Sequence, residues 1–257
     1  MLTEAQREPI EVVLVSPRNP LNIGAAARAM ANFGFSRLTV VAPFEEHWRE
    51  AKSAVGASDL LQTAKRVERL AEAVADCTLV VGTGTLEHRR PEQTVVALPA
   101  LGRQIKQKLD RGDRVALVFG SEKRGLTRDD LALCHLLVEI PTNPRQPSMN
   151  LGQAVAVCLY ELAAQRTPQS PEWGAHGPSH LGTEESDKSA LPVSSSDLAL
   201  LAEVVAETMR AANYSPRAMQ KANRHDLDLL LRRLKLERRD ARRILGLFRR
   251  ILWRLKR

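Results

Sequence analysis

Five short Val-rich runs, each closed by Gly, Pro, Ser or Thr, constrain this chain most: EVVLVS (11–16), RLTVVAP (37–43), TLVVGT (78–83), RVALVFG (114–120) and LLVEIP (136–141). A run without polar alternation is what a strand shows when both faces are buried, as in a parallel sheet covered by helices. Stretches of helical composition separate the runs at 22–33, 66–75, 97–110 and 127–133. Another follows at 148–165, with Val155, Leu159 and Leu162 on one face. Strand and helix in alternation predict an α/β domain with a parallel sheet over residues 1–166.

A different composition follows. Residues 167–196 hold four prolines, three glycines and seven serines, and read as a flexible linker. Residues 197–257 return to helical spacing. Ser196 and Asp197 stand as caps before Leu198, Leu201, Val205 and Met209, and two further apolar stripes run through Leu227–Leu234 and Ile244–Leu255. The module is basic: residues 217–257 carry 15 basic and four acidic side chains, net +11, against +8 for the whole chain. The rest is therefore slightly acidic, and the positive excess is an appendage suited to a polyanion.

At 257 residues with 44% apolar and 26% charged residues, the chain has the makings of a real core. It shows no apolar run of membrane-spanning length and no secretion signal, so a soluble, cytoplasmic protein is expected. Cys77, Cys134 and Cys158 are odd in number and far apart, which argues against a disulfide framework or a zinc site and for packing roles. His88 and His135 read as structural or surface residues.

In open α/β sheets ligands gather where strands end. Four such junctions are glycine-rich or polar here: SPRNPLNIG after the first run, GTLEHRR after the third, GSEKRGLT after the fourth and TNPRQPSMN after the fifth. Neither a dinucleotide-binding G-x-G-x-x-G nor a Walker A pattern is present, and G-x-S-x-G and H-E-x-x-H are absent too, so metal-free chemistry is expected.

Three stretches, N22-I-G-A-A-A-R28, F119-G-S-E-K-R-G-L-T127 and I140-P-T-N-P-R-Q-P-S-M-N-L-G-Q-A154, resemble in order and spacing the three signature motifs of the SpoU branch of SPOUT RNA methyltransferases. Within that branch the opening VVLVSPRNPLNIGAAARAMANFGF, the VGAS at 55–58 and the helical extension look most like the tRNA anticodon-loop ribose 2′-O-methyltransferases. The resemblance implies a parallel-sheet α/β knot, with the C-terminal segment threaded as a trefoil, followed by a small all-helical module that holds RNA. It implies S-adenosylmethionine as cofactor and a homodimer with each site near the subunit interface. The substrate it implies is a ribose 2′-hydroxyl of tRNA, at nucleotide 32 of the anticodon loop. No metal and no membrane enter.

Carried onto this sequence, the cofactor wall would be Thr83, Gly84 and Thr85, then Gly120, Ser121 and Glu122, then Ile140, Ser148, Met149, Asn150 and Leu151. Arg28 would be the catalytic arginine, with Asn22, Ser148 and Asn150 orienting it or the ribose. A guanidinium stays protonated, so Arg28 would anchor a phosphate or stabilise the developing alkoxide. Relatives often carry arginine where Ser121 stands, and Arg89 and Arg90 could then supply phosphate contacts. Two alternatives keep the fold: a ribosomal RNA ribose methyltransferase and a non-catalytic RNA-binding knotted protein. Alone, Arg28 would read as a surface arginine and the basic helix as a solubilising or membrane-surface face.

Overall fold

The structure is a computed structural model and describes residues 2–84, 91–163, 192–214 and 216–256. Seven strands form one sheet: β1 (Ile10–Val15), β2 (Arg37–Val41), β3 (Lys65–Val67), β4 (Leu79–Thr83), β5 (Thr94–Ala97), β6 (Val115–Phe119) and β7 (Leu136–Glu139). Every pairing is parallel and the order is β3-β2-β1-β6-β4-β7-β5. The helices are α1 (Glu4–Arg7), α2 (Pro20–Phe33), α3 (Ser58–Thr63), α4 (Leu70–Ala73), α5 (Leu98–Leu109), α6 (Arg128–Ala132), α7 (Leu151–Ala163), α8 (Ser195–Ala211), α9 (Gln220–Arg233) and α10 (Arg238–Leu255).

The five Val-rich runs are the five inner strands β2, β1, β6, β4 and β7. Their alternate residues feed two cores. Val12 and Leu14 join the larger core, with Leu101, Ile105, Val155 and Leu159 from α5 and α7. Val13 and Val15 join the smaller one, with Leu70, Val74 and Leu126. Burial on both faces removes the polar alternation from these strands.

Two strands depart from the sequence reading. Residues 65–67, read as the edge of a helix over 66–75, form β3, and only Leu70–Ala73 beyond it are helical. Residues 94–97 form β5. Both are sheet edges, short and largely exposed: β3 carries no apolar run, and that of β5 is only Val95, Val96 and Ala97, which lead straight into α5.

Beyond the body, α8, α9 and α10 enclose a third core of Val193, Leu198, Leu201, Val205, Leu231 and Ala241. The cap of α8 is Ser194, whose side chain accepts from the Asp197 amide, rather than Ser196 or Asp197. Residues 192–196, assigned above to the linker, belong to this module, since Pro192 bridges to Glu237 and α8 begins at Ser195. The remainder of the expected linker lies outside the described residues. The module is anchored under the sheet, where the amides of Ser195 and Ser196 donate to the carbonyls of Cys77 and Ala75. No helix among the described residues is long and apolar enough to cross a membrane.

Candidate active site

The strand order places the C-terminal ends of β1, β6, β4 and β7 side by side. The four junctions singled out in the sequence therefore open onto one rim of the sheet. A cleft of about 250 Å³ lies there, lined by Thr83 and Gly84 after β4, by Phe119–Leu126 after β6, and by Ile140, Thr142, Pro147, Ser148, Met149, Leu151 and Ala154 after β7.

Each lip has a local cause. After β6 the chain doubles back, with the Gly125 amide donating to the Ser121 carbonyl at 2.8 Å. A Cβ on Gly120 would collide with the backbone of Gly125 and Leu126, so only glycine allows so tight a turn. Gly125 completes it in the left-handed region at φ 64°. Thr127 then caps α6 through a reciprocal box with Asp130. The β7 lip is shaped by Asn143, whose side chain accepts from the Arg145 amide, and by the Thr142 hydroxyl, which donates to the Pro147 carbonyl.

The first motif reaches the cleft through a carboxylate. Glu122 Oε1 accepts from Asn22 Nδ2 at 2.8 Å and from the Asn19 amide at 3.1 Å, and its Oε2 accepts from the Arg18 amide at 2.9 Å. Asn22 Oδ1 in turn accepts from Asn150 Nδ2 at 2.9 Å. Asn150 Oδ1 closes the chain by accepting from the amides of Gly152 and Gln153 at the start of α7. Partial burial works to raise the Glu122 carboxyl, but the bonds from Asn22 and from the Arg18 and Asn19 amides outweigh it and hold the group below the usual carboxylate range. Glu122 is thus a charged post to which the first and third motifs are tied.

Of the residues expected at the site, Thr83, Gly84, Gly120, Ser121, Glu122, Ile140, Ser148, Met149 and Leu151 line one cleft. Asn22 and Asn150 stand at its edge through Glu122. Arg28 stands apart. It lies six residues beyond Asn22 on α2, about 9 Å along the axis and about 120° around it. Its side chain is exposed and has no hydrogen-bonding or ionic partner among the described residues. Thr85, Arg89 and Arg90 lie outside the described residues.

The sequence reading missed the amides of Arg18 and Asn19. Their signal was the Pro-flanked turn before α2, but a sequence does not say where an amide points. Among the described residues no group of three or more His, Cys, Asp and Glu is arranged to hold a metal ion.

The profile of the SpoU rRNA methylase family matches residues 9–160. The tRNA (cytidine/uridine/adenosine-2′-O-)-methyltransferase TrmJ of Pseudomonas aeruginosa (strain UCBPP-PA14) is 40% identical over 169 residues, 63% of this chain and 65% of that protein. The tRNA (cytidine/uridine-2′-O-)-methyltransferase TrmJ of Pectobacterium atrosepticum is 39% identical over 154 residues, 60% of this chain and 63% of that protein. These matches span less than two thirds of either relative. The crystal structure of TrmJ from Z. mobilis ZM4 superposes with a TM-score of 0.78 at 27% identity, over 94% of this chain and 98% of that one. That likeness covers the sheet and the C-terminal helices together, so the fold is the SPOUT fold with a helical module appended.

Proposed function

From the premise that the chain belongs to the SpoU rRNA methylase family, we propose that it transfers a methyl group from S-adenosylmethionine to a ribose 2′-hydroxyl of tRNA. The finer reading is nucleotide 32 of the anticodon loop, methylated in the cytoplasm by a homodimer. The observation that carries the proposal is the hydrogen-bonded chain from Asn150 through Asn22 to Glu122, which ties all three motifs together at the rim of one cleft.

The cleft fits the cofactor in kind. Phe119, Leu126, Ile140, Met149 and Leu151 offer apolar walls for a purine, while Ser121, Thr142, Ser148 and the loop backbone offer polar groups for a ribose and an amino acid. When bound there, S-adenosylmethionine supplies a methyl group already activated on a sulfonium. The protein's task is then to place the hydroxyl in line and ease loss of its proton. Asn22 and Asn150 are held with their amides oriented, and Ser148 presents a hydroxyl at the cleft. Glu122, kept charged and saturated with donors, acts as a positioning group.

Arg28 stands outside the lining of its own cleft, on the exposed side of α2. Leu21 and Tyr160, more than half exposed, flank the same two helices. A second copy of the chain seated on this face would receive Arg28 at its own cleft, where the guanidinium would hold a phosphate or the developing alkoxide. The module holds the RNA: on α10 the exposed Arg242, Arg243, Arg249, Arg250 and Arg254 suit a phosphate backbone.

The test is transfer of labelled methyl from S-adenosylmethionine to total tRNA and, separately, to ribosomal RNA, with nuclease mapping. Label is expected in a 2′-O-methylnucleoside of the anticodon loop, and Glu122→Gln should lower the rate about tenfold or more, since it removes a charged acceptor of three bonds. Label in ribosomal RNA alone would overturn the substrate, and label in neither, with S-adenosylmethionine still bound, would overturn the catalysis.

A further inference from the structure

Two arginines stack on aromatic rings among the described residues, and the two pairs differ in kind. The Arg49 guanidinium lies 4.4 Å from the centroid of Trp48, whose ring is fully buried and belongs to the core. The Arg18 guanidinium lies 4.6 Å from the centroid of Phe44, which is 65% exposed. Phe44 sits in the loop after β2 and contributes nothing to any of the three cores.

The backbone fixes this pair at the candidate active site. The Arg18 amide donates to Glu122, so the residue that stacks on Phe44 also holds the carboxylate joining the three motifs. The Phe44 amide donates to the Pro17 carbonyl at 3.1 Å, riveting the loop after β2 to the loop after β1. Both loops leave their strands through a non-glycine residue in the left-handed region, Ser16 at φ 47° and Ala42 at φ 42°. That conformation carries strain and persists only where the surroundings enforce it. Here the amides of Ser16 and Ala42 donate to Val41 and Val67, extending the ladder past the strand ends.

We propose that Arg18 and Phe44 form a stacking platform for an unpaired nucleobase of the RNA, one that flanks the ribose placed in the cleft. A flat apolar ring with a guanidinium over it is what single-stranded bases stack on, whatever their identity. Charge gives the side on which the RNA backbone passes. The exposed Glu45 and Glu46 follow Phe44 and repel phosphates, whereas Arg18 lies on the side of the cleft, so the backbone passes on the Arg18 side. The platform therefore selects for unpaired RNA at the site, as in a loop, and against a closed duplex whose bases are stacked on one another. It rests on the RNA-methylating reading above.

The test uses the full chain, unaltered and as Phe44→Ala and Phe44→Trp, with a tRNA anticodon stem-loop carrying 2-aminopurine at successive loop positions. Stacking should quench emission at one position in the unaltered protein and in Phe44→Trp, and Phe44→Ala should lose the quench. In turnover, Phe44→Ala should raise KM for tRNA about tenfold with kcat and S-adenosylmethionine affinity unchanged, and Phe44→Trp should restore it. Unchanged quenching and KM in Phe44→Ala would overturn the platform. So would a shift of Phe44→Ala toward monomer in sedimentation with RNA binding intact, which would mark Phe44 as a subunit contact. Quenching that depends on Phe44 without methyl transfer to any RNA would keep the platform and sink the methylation reading instead.

Discussion

Glu122 and His135 show how local surroundings set two side chains to opposite tasks. Glu122, largely exposed, gathers enough donors to stay charged despite partial desolvation, which makes it a fixed anchor for Asn22. His135 is half-buried just before β7, where its Nδ1 accepts from the Val80 amide at 3.0 Å. Burial, with Arg232 and Lys108 nearby, pushes its imidazole down to about 3. It is therefore neutral in the folded protein, while the unfolded chain takes up a proton below about pH 6.5. Its contribution to stability is complete above that pH and declines as pH falls toward 3, by at most about 1.4 kcal/mol per pH unit. Melting at pH 7 and pH 5 should show a larger drop for the unaltered protein than for His135→Asn, and equal drops would refute this account. The sequence placed His135 only as structural or surface. Its depth comes from a module more than fifty residues away that covers the strand's end. The three cysteines, read from the sequence as packing residues, are buried with thiols pushed up to about 12.

At the level of elements, the crossing of α2 and α7 matters most, since it brings the first motif against the third. It is close because small residues meet: a Cβ on Gly152 would stand 2.7 Å from the Ala25 Cβ. Gly152→Ala should force the helices apart and lower stability by about 1–3 kcal/mol. Methyl transfer should fall further than that loss explains, because Asn150 is held by the Gly152 amide. A variant with an unshifted melting temperature would show that the crossing has slack. The inner strands and the long helices of the body were legible because burial imposes a period on their sequence. The edge strands β3 and β5 were not, because an exposed edge imposes none.

For the whole molecule, the question is how many chains make a site. Arg28 lies on a different face of α2 from Asn22, exposed and without a hydrogen-bonding or ionic partner among the described residues. Under the function proposed above, one chain holds the anchored asparagines and takes the guanidinium from a second copy. Arg28→Ala and Asn150→Ala, each expected to be inactive alone, should recover activity when mixed and allowed to exchange subunits. Failure to complement, with exchange confirmed, would return Arg28 to its own cleft. The other whole-molecule feature is charge. Changing Arg242, Arg243, Arg249 and Arg250 to Gln should weaken tRNA binding and flatten its salt dependence, and an unchanged slope would remove α10 from the RNA surface. The sequence by itself determined the parallel α/β body, the basic appendage and the three motifs, because burial period, net charge and residue order are properties of a string. Only the tertiary structure decided that Glu122 ties Asn22 to the cleft, that Arg28 stands outside the cleft's lining and that Arg18 lies on Phe44. Those facts depend on where strands separated by some hundred residues end beside one another, and sheet order is set by the packing of the whole chain.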